Sequence, residues 1–191
     1  MEAKEVLETL NRGNARFVAG QVTELEHVRS TRRSLSEEQH PIAVIFGCAD
    51  SRVTPEFVFD QGLGQLFVVR TAGQVLDDAA LGSIEYGVDH LHCTLVMVLG
   101  HESCGAVTAA VEGGEASGSI EMIVESIQPA VEMTAGQKGD PVNNAVKAQA
   151  QLVAEKLRTT EPILAPAVES GAIQIVAARY DLETGRVVLL D

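Results

Sequence analysis

The chain has 191 residues, 46% of them hydrophobic and 21% charged, which is enough apolar material for one cored domain and too much for a disordered chain. Its 14 Lys and Arg stand against 27 Asp and Glu, a formal net charge of −13; without a basic block this charge argues against nucleic acid and anionic membranes as partners. No apolar run approaches the ~20 residues of a membrane span, and Met1 to Glu5 carry no secretory pattern, so a cytoplasmic location is expected.

Residues 2–17 place Ala3, Val6, Leu7, Leu10, Asn14 and Phe17 at helical spacing, which predicts an amphipathic helix whose apolar stripe needs a surface to lie on. Residues 20–39 are polar and mixed in charge, with Arg29, Arg32 and Arg33 followed by Glu37 and Glu38, and read as a surface loop. Continuous apolar runs then appear at residues 41–47, 66–69 and 94–100. Runs without alternation predict strands buried on both faces, hence a parallel sheet covered by helices. Thr54, Pro55 and Glu56 make a helix start, with a capping hydroxyl, a proline in the first turn and a carboxylate near the positive end. Asp77 and Asp78 open a crossover helix over residues 79–91, and a further helix over 104–111 ends at Gly113 and Gly114. Residues 120–133 and 142–157 read as helices, residues 173–178 as a strand, 182–185 as a turn and 187–190 as a short closing strand. The expected fold class is therefore α/β, with a mostly parallel central sheet flanked by helices and a protruding N-terminal helical arm. Residues 1–191 read as one domain, an arm and loop over 1–38 and an α/β core over 39–191.

Only three cysteines occur, Cys48, Cys93 and Cys104, too few and odd in number for a disulfide framework. Cys48 follows the first apolar run and His101 the third, and sites in an open parallel sheet lie outside the carboxyl ends of strands, so the two can converge. Cys104 follows His101 by three positions, where a chain turning into a helix can present imidazole and thiolate to one ion. Two sulfurs and one nitrogen suit tetrahedral zinc with its fourth position open or filled by a local group. His-x-x-Cys alone is weak, and spacing leaves open a buried core cysteine, a capping histidine and an inert thiol. His90, His92 and Cys93 also crowd together, but alternation along an extended segment throws His92 and Cys93 to opposite faces, against a second metal.

The text around these residues is more specific. Cys48-Ala49-Asp50-Ser51-Arg52, joined to Gly100-His101-Glu102-Ser103-Cys104-Gly105, resembles the β-class carbonic anhydrases, with their Cys-x-Asp-x-Arg and His-x-x-Cys blocks. Leu10 to Val18 is similar to the family's N-terminal arm, Phe67 to Gly73 to its second strand, Ser83 to Val88 to the helix that follows and Tyr180 to Gly185 to its closing turn. The resemblance implies that Cys48, His101 and Cys104 ligate one Zn2+ per chain. It makes Asp50 and Arg52 a dyad whose carboxylate either binds the metal in a closed state or pairs with the guanidinium. It places Gln39, nine residues before Cys48, as a donor to a substrate oxygen, and Phe67, Ala72 and Tyr86 in an apolar CO2 pocket, the tyrosine crossing a dimer interface. Core packing is the competing reading for Phe67 and Tyr86. Family members regulated by bicarbonate carry a tryptophan three residues before the first cysteine; here Ile45 stands there and the chain has no Trp, which speaks against their bicarbonate site. Glu102 is a departure from the smaller residue common at that position, open to solvent exposure or proton transfer. The resemblance thus implies reversible hydration of CO2 to bicarbonate and a proton by zinc-bound hydroxide, in a homodimer or tetramer. Hydrolysis of a CO2 analogue such as carbon disulfide, and a purely structural zinc, are the other readings.

Overall fold

The structure is a computed structural model that describes residues 1–23 and 28–190. Five strands form one sheet in the order β2-β1-β3-β4-β5: β1 (Ala43–Cys48), β2 (Leu66–Thr71), β3 (Leu95–His101), β4 (Gln174–Tyr180) and β5 (Val187–Leu190). The first four pair in parallel and β5 closes antiparallel to β4. Eight helices are described: α1 (Ala3–Val18), α2 (Val28–Ser34), α3 (Pro55–Val58), α4 (Asp78–Asp89), α5 (Gly105–Glu112), α6 (Ile120–Thr134), α7 (Pro141–Arg158) and α8 (Leu164–Glu169).

The central strands are buried on both faces, as their unbroken apolar runs require. Val44, Phe46, Val96 and Val98 face one core with Ile84 of α4 and Val153 and Leu157 of α7. Ala43, Ile45, Leu95, Met97 and Leu99 face the other, with Val6 and Leu10 of α1. Strand β2 is only half-buried along its length, because as the outermost strand it has no partner on its far side. The Asp77 carboxylate caps α4 by accepting from the Ala80 N–H at 2.7 Å. Thr54, by contrast, makes no side-chain cap on the single turn of α3.

One expectation needs correction. The expected loop over 20–39 contains α2, a seven-residue polar helix with no apolar periodicity to announce it; residues 24–27 of that loop lie outside the described residues. The N-terminal helix seats part of its stripe on its own chain, with Val6 and Leu10 fully buried and Leu7 and Phe17 partly so. Asn14 fastens it, donating to the Val58 and Gly185 carbonyls at 3.0 and 2.8 Å and accepting from the Val187 N–H at 2.9 Å. Arg16 of this helix also pairs with Asp60 at 2.5 Å. Gly13 shows how close the seat is: a Cβ there would stand 1.8 Å from the Phe59 carbonyl oxygen. Gly13→Ala should therefore destabilise the protein by about 2 kcal/mol despite the ~1 kcal/mol that alanine ordinarily gains in a helix. Urea unfolding checks this, and an unchanged midpoint would contradict the seating of α1 on α3.

The order 2-1-3-4-5 has one topological switch point. The chain leaves β1 toward β2 on one side and returns to β3 on the other, opening a crevice at the carboxyl ends of β1 and β3. Those ends are Cys48 and His101.

Candidate active site

Cys48, His101 and Cys104 converge in that crevice. All three are buried, and their ligand-type atoms lie within 4.8 Å of one another. Among the described residues no other His, Cys, Asp or Glu group has this arrangement. Cys48 is the last residue of β1, His101 the last of β3, and Cys104 the residue that caps α5. Val107, Ile127 and Val146, from α5, α6 and α7, shield the sulfurs.

Each ligand atom is aimed by a neighbour. The Gly73 N–H donates to the Cys48 sulfur at 3.2 Å, from a 3-10 turn over Ala72–Gln74 that sequence periodicity does not reveal. His101 Nδ1 lies 2.8 Å from the Glu102 carbonyl oxygen. That geometry suits an Nδ1–H donor and leaves the lone pair on Nε2, which is buried and without a hydrogen-bond partner. The two sulfurs stand 3.9 Å apart, against the ~3.8 Å that follows from two ~2.3 Å zinc–sulfur bonds at a tetrahedral angle. An orphaned imidazole nitrogen facing two sulfurs at that spacing is a fit for zinc. The hydrogen bond from Cys104 holds Cys48 down, to about 4, against its burial, while the same bond and burial push the Cys104 thiol up.

Asp50 borders this cluster, its Oδ2 3.9 Å from His101 Nε2. Arg52 grips it twice, Nε to Oδ1 at 2.9 Å and an Nη to Oδ2 at 2.7 Å, and the Arg52 N–H adds a third bond at 2.9 Å. This pairing holds the Asp50 carboxyl at about 2, well below the usual carboxylate range. The same guanidinium donates to the Ser103 carbonyl at 3.1 Å, joining the two ligand loops. Arg70, whose role the sequence does not announce, braces the first loop by donating to the carbonyls of Cys48, Asp50 and Val53 at 2.8, 2.5 and 2.8 Å.

The remaining expected site residues do not gather here. Ala72 is adjacent through Gly73. Phe67 pairs with Val44 near the start of β2, four residues or ~13 Å before Thr71, which pairs with Cys48. Tyr86 is exposed on α4, its ring 6.1 Å from that of Phe67 and stacked on His90 at 4.9 Å. Gln39 is exposed and lines a surface cavity of about 590 Å³ with Arg32, Leu35, Glu38 and Leu63, none of which belongs to the cluster. Glu102 is not a free solvent-facing group: its carboxylate pairs with Arg179 at 2.5 Å. Cys93 is buried apart, its thiol pushed up to about 11 by burial, and it donates to the Pro41 carbonyl at 3.4 Å.

A doubly wound sheet with a buried Cys2His cluster at its switch point, bordered by a clamped carboxylate, defines an α/β protein with a metal centre at its strand ends. The family model for carbonic anhydrase matches residues 43–187. A carbonic anhydrase of Mycolicibacterium smegmatis is 46% identical over 187 residues, covering 94% of this chain and 89% of the relative. Carbonic anhydrase 2 of Mycobacterium tuberculosis is 42% identical over 186 residues, covering 95% and 90%. Among solved structures, a β-carbonic anhydrase of Sordaria macrospora, described as tetrameric, matches in fold with a TM-score of 0.79 at 21% identity, over 98% of this chain and 97% of that one. The chain belongs to the β-carbonic anhydrase family of enzymes.

Proposed function

We propose that the protein hydrates CO2 reversibly to bicarbonate and a proton, with one zinc ion per chain held by Cys48, His101 and Cys104. The observation that carries this reading is the unpartnered His101 Nε2, facing two sulfurs and flanked at 3.9 Å by a carboxylate already committed to Arg52. When bound, zinc supplies a Lewis acid that lowers the pKa of water from 15.7 toward ~7, giving a hydroxide nucleophile near neutrality.

The chain's own residues set the conditions. Two thiolates cancel the charge of the ion, so this centre polarises water less than one built from neutral imidazoles. Asp50 would offset that deficit: held by Arg52, its carboxylate would be free to accept a hydrogen bond from an entering water and orient it toward the substrate. Released by Arg52, the same carboxylate would occupy the fourth position and shut water out. Asp50 and Arg52 thus control access to the reacting position.

Within one chain Gln39, Phe67 and Tyr86 stand away from the cluster, whereas Ala72 stands beside it. We assign the first three to a CO2 pocket completed by a second copy, Gln39 donating to a substrate oxygen and the rings of Phe67 and Tyr86 lining the apolar wall. The half-open edge of β2 and the exposed ring of Tyr86 support a homodimer or larger assembly as the active unit. CO2 is neutral and needs no steering, so the acidic surface is no obstacle.

Competitive turnover is the test of substrate. Given CO2 and carbon disulfide together, the enzyme should hydrate CO2 with the far larger kcat/KM. A preference for carbon disulfide would overturn the assignment of substrate while leaving the metal site intact.

A further inference from the structure

We propose that Arg179 is a positioning residue for the metal centre, acting through its ion pair with Glu102 to fix the imidazole of His101; the inference rests on the zinc centre proposed above. Two of the three ligand residues sit three positions apart, at the ends of the short loop from His101 to Cys104. Ser103 in this loop takes a left-handed conformation, with φ at 50°, which a non-glycine residue keeps only when its surroundings hold it. Arg52 holds the loop on one side, through the Ser103 carbonyl. Arg179 holds it on the other.

The tie runs through a single residue. Glu102 donates its N–H to the Tyr180 carbonyl at 3.1 Å, its carbonyl oxygen lies 2.8 Å from His101 Nδ1, and its carboxylate is bound by Arg179 at 2.5 Å. With the N–H on one side of its Cα and the side chain both anchored, Glu102 is held as a unit, which restricts rotation of the following peptide and keeps its carbonyl on the ring and Nε2 on the sulfurs. Metal-binding histidines are commonly oriented by a carboxylate on the second ring nitrogen. In this chain a backbone carbonyl takes that position, and the carboxylate of the same residue is the handle by which the carbonyl is held. Arg179 is itself fixed, with its side chain only 15% exposed. It donates to Asn143 Oδ1 of α7 at 2.9 Å and lies 3.7 Å from the Asp181 carboxylate. The guanidinium therefore joins β4, α7 and the ligand loop, and a planar fork with several donors does this where an ammonium cannot.

This geometry gives Glu102 a role other than proton transfer. Its carboxylate is neutralised by Arg179 and its carbonyl faces the ring. The pair fixes the loop before metal arrives, so its loss should appear in metal affinity and ligand geometry.

The experiment is a competition between the metal-free full-length protein and a chromophoric chelator for Zn2+, on the wild type, Arg179→Ala, Arg179→Lys and Glu102→Gln. Each protein is also loaded with Co2+ and its visible absorption recorded. Arg179→Ala and Glu102→Gln should weaken zinc binding about 10- to 100-fold and alter the cobalt bands. Arg179→Lys, keeping the charge without the fork, should recover part of the affinity. Glu102→Gln leaves the Asn143 and Asp181 contacts of Arg179 in place, so it tests the tie even if Arg179→Ala fails to fold. Zinc affinity within twofold of wild type and an unchanged cobalt spectrum in Glu102→Gln would overturn the inference. Failure of the wild type itself to bind zinc would instead overturn the zinc centre.

Discussion

Cys104→Ser should abolish stable zinc binding and lower kcat/KM for CO2 hydration by about 10³-fold or more, since on the proposed reading the nucleophile near neutrality would depend on the metal. The substitution is nearly isosteric and leaves the backbone of Cys104 free to keep accepting from the Thr108 N–H and hydroxyl at 2.8 and 3.0 Å. The fold should therefore survive. What disappears is a thiolate: a serine hydroxyl does not ionise near neutrality and cannot replace a soft anionic ligand. Cys93→Ser is the matching control, because Cys93 lies outside the cluster and a serine there can still donate to the Pro41 carbonyl. Metal analysis of the purified variants decides the matter, and a Cys104→Ser protein with full zinc would remove Cys104 from the ligand set.

The second large effect concerns Arg52→Ala, which should lower kcat/KM at neutral pH by about 10²-fold, the scale of losing one preorganised electrostatic contact at a reacting centre. In the wild type the Asp50 carboxylate is spoken for by Arg52, even though it lies 3.9 Å from His101 Nε2. On the proposed reading, loss of the guanidinium would leave the metal as the nearest compensating charge for the carboxylate, which would then compete with water for it. The charge balance would allow this, since a carboxylate and a hydroxide each bring one negative charge to a site with two thiolates. Hydroxide becomes the stronger competitor as pH rises, so Arg52→Ala should regain part of its activity in alkali. The wild-type rate should also rise through neutrality, and Asp50 cannot be the group that titrates, since Arg52 holds it at about 2. A depressed carboxyl contributes stability above its unfolded value and loses it as pH falls through the folded one. The pair's contribution is therefore intact at neutrality and lost between about 4 and 2 in acid. Rate profiles in pH for wild type and variant test both halves; wild-type activity in Arg52→Ala across the range would remove the gate.

The sheet was legible in the sequence because buried parallel strands write continuous apolar runs, and residues 41–47 and 94–100 did so. From those runs, Cys48 and His101 could be placed at strand ends, and the switch-point rule brought them together before any coordinates. What was not legible depends on contacts that leave no periodic trace. Helix α8 is six residues long with Pro166 inside it, and α2 has no apolar face to detect. No pattern in the sequence singles out Arg70 or Arg179; their donation to the carbonyls of Cys48 and Asp50 and to the Glu102 carboxylate spans 20 to 77 positions. The N-terminal stripe was visible, but amphipathicity states only that a surface is needed and not whose. Asn14 and Gly13 seat it on the same chain. Tyr86 and Gln39 illustrate the converse, since only the family resemblance directs them to the reaction and one folded chain leaves them away from the cluster.

The most direct measurement is stopped-flow hydration of CO2 by one preparation in three states: as purified, after exhaustive chelation, and after Zn2+ is restored. The account predicts that hydration is fast in the first state, falls to the uncatalysed rate in the second and returns in the third with one equivalent of zinc per chain. Full activity in the chelated, metal-free protein would contradict it.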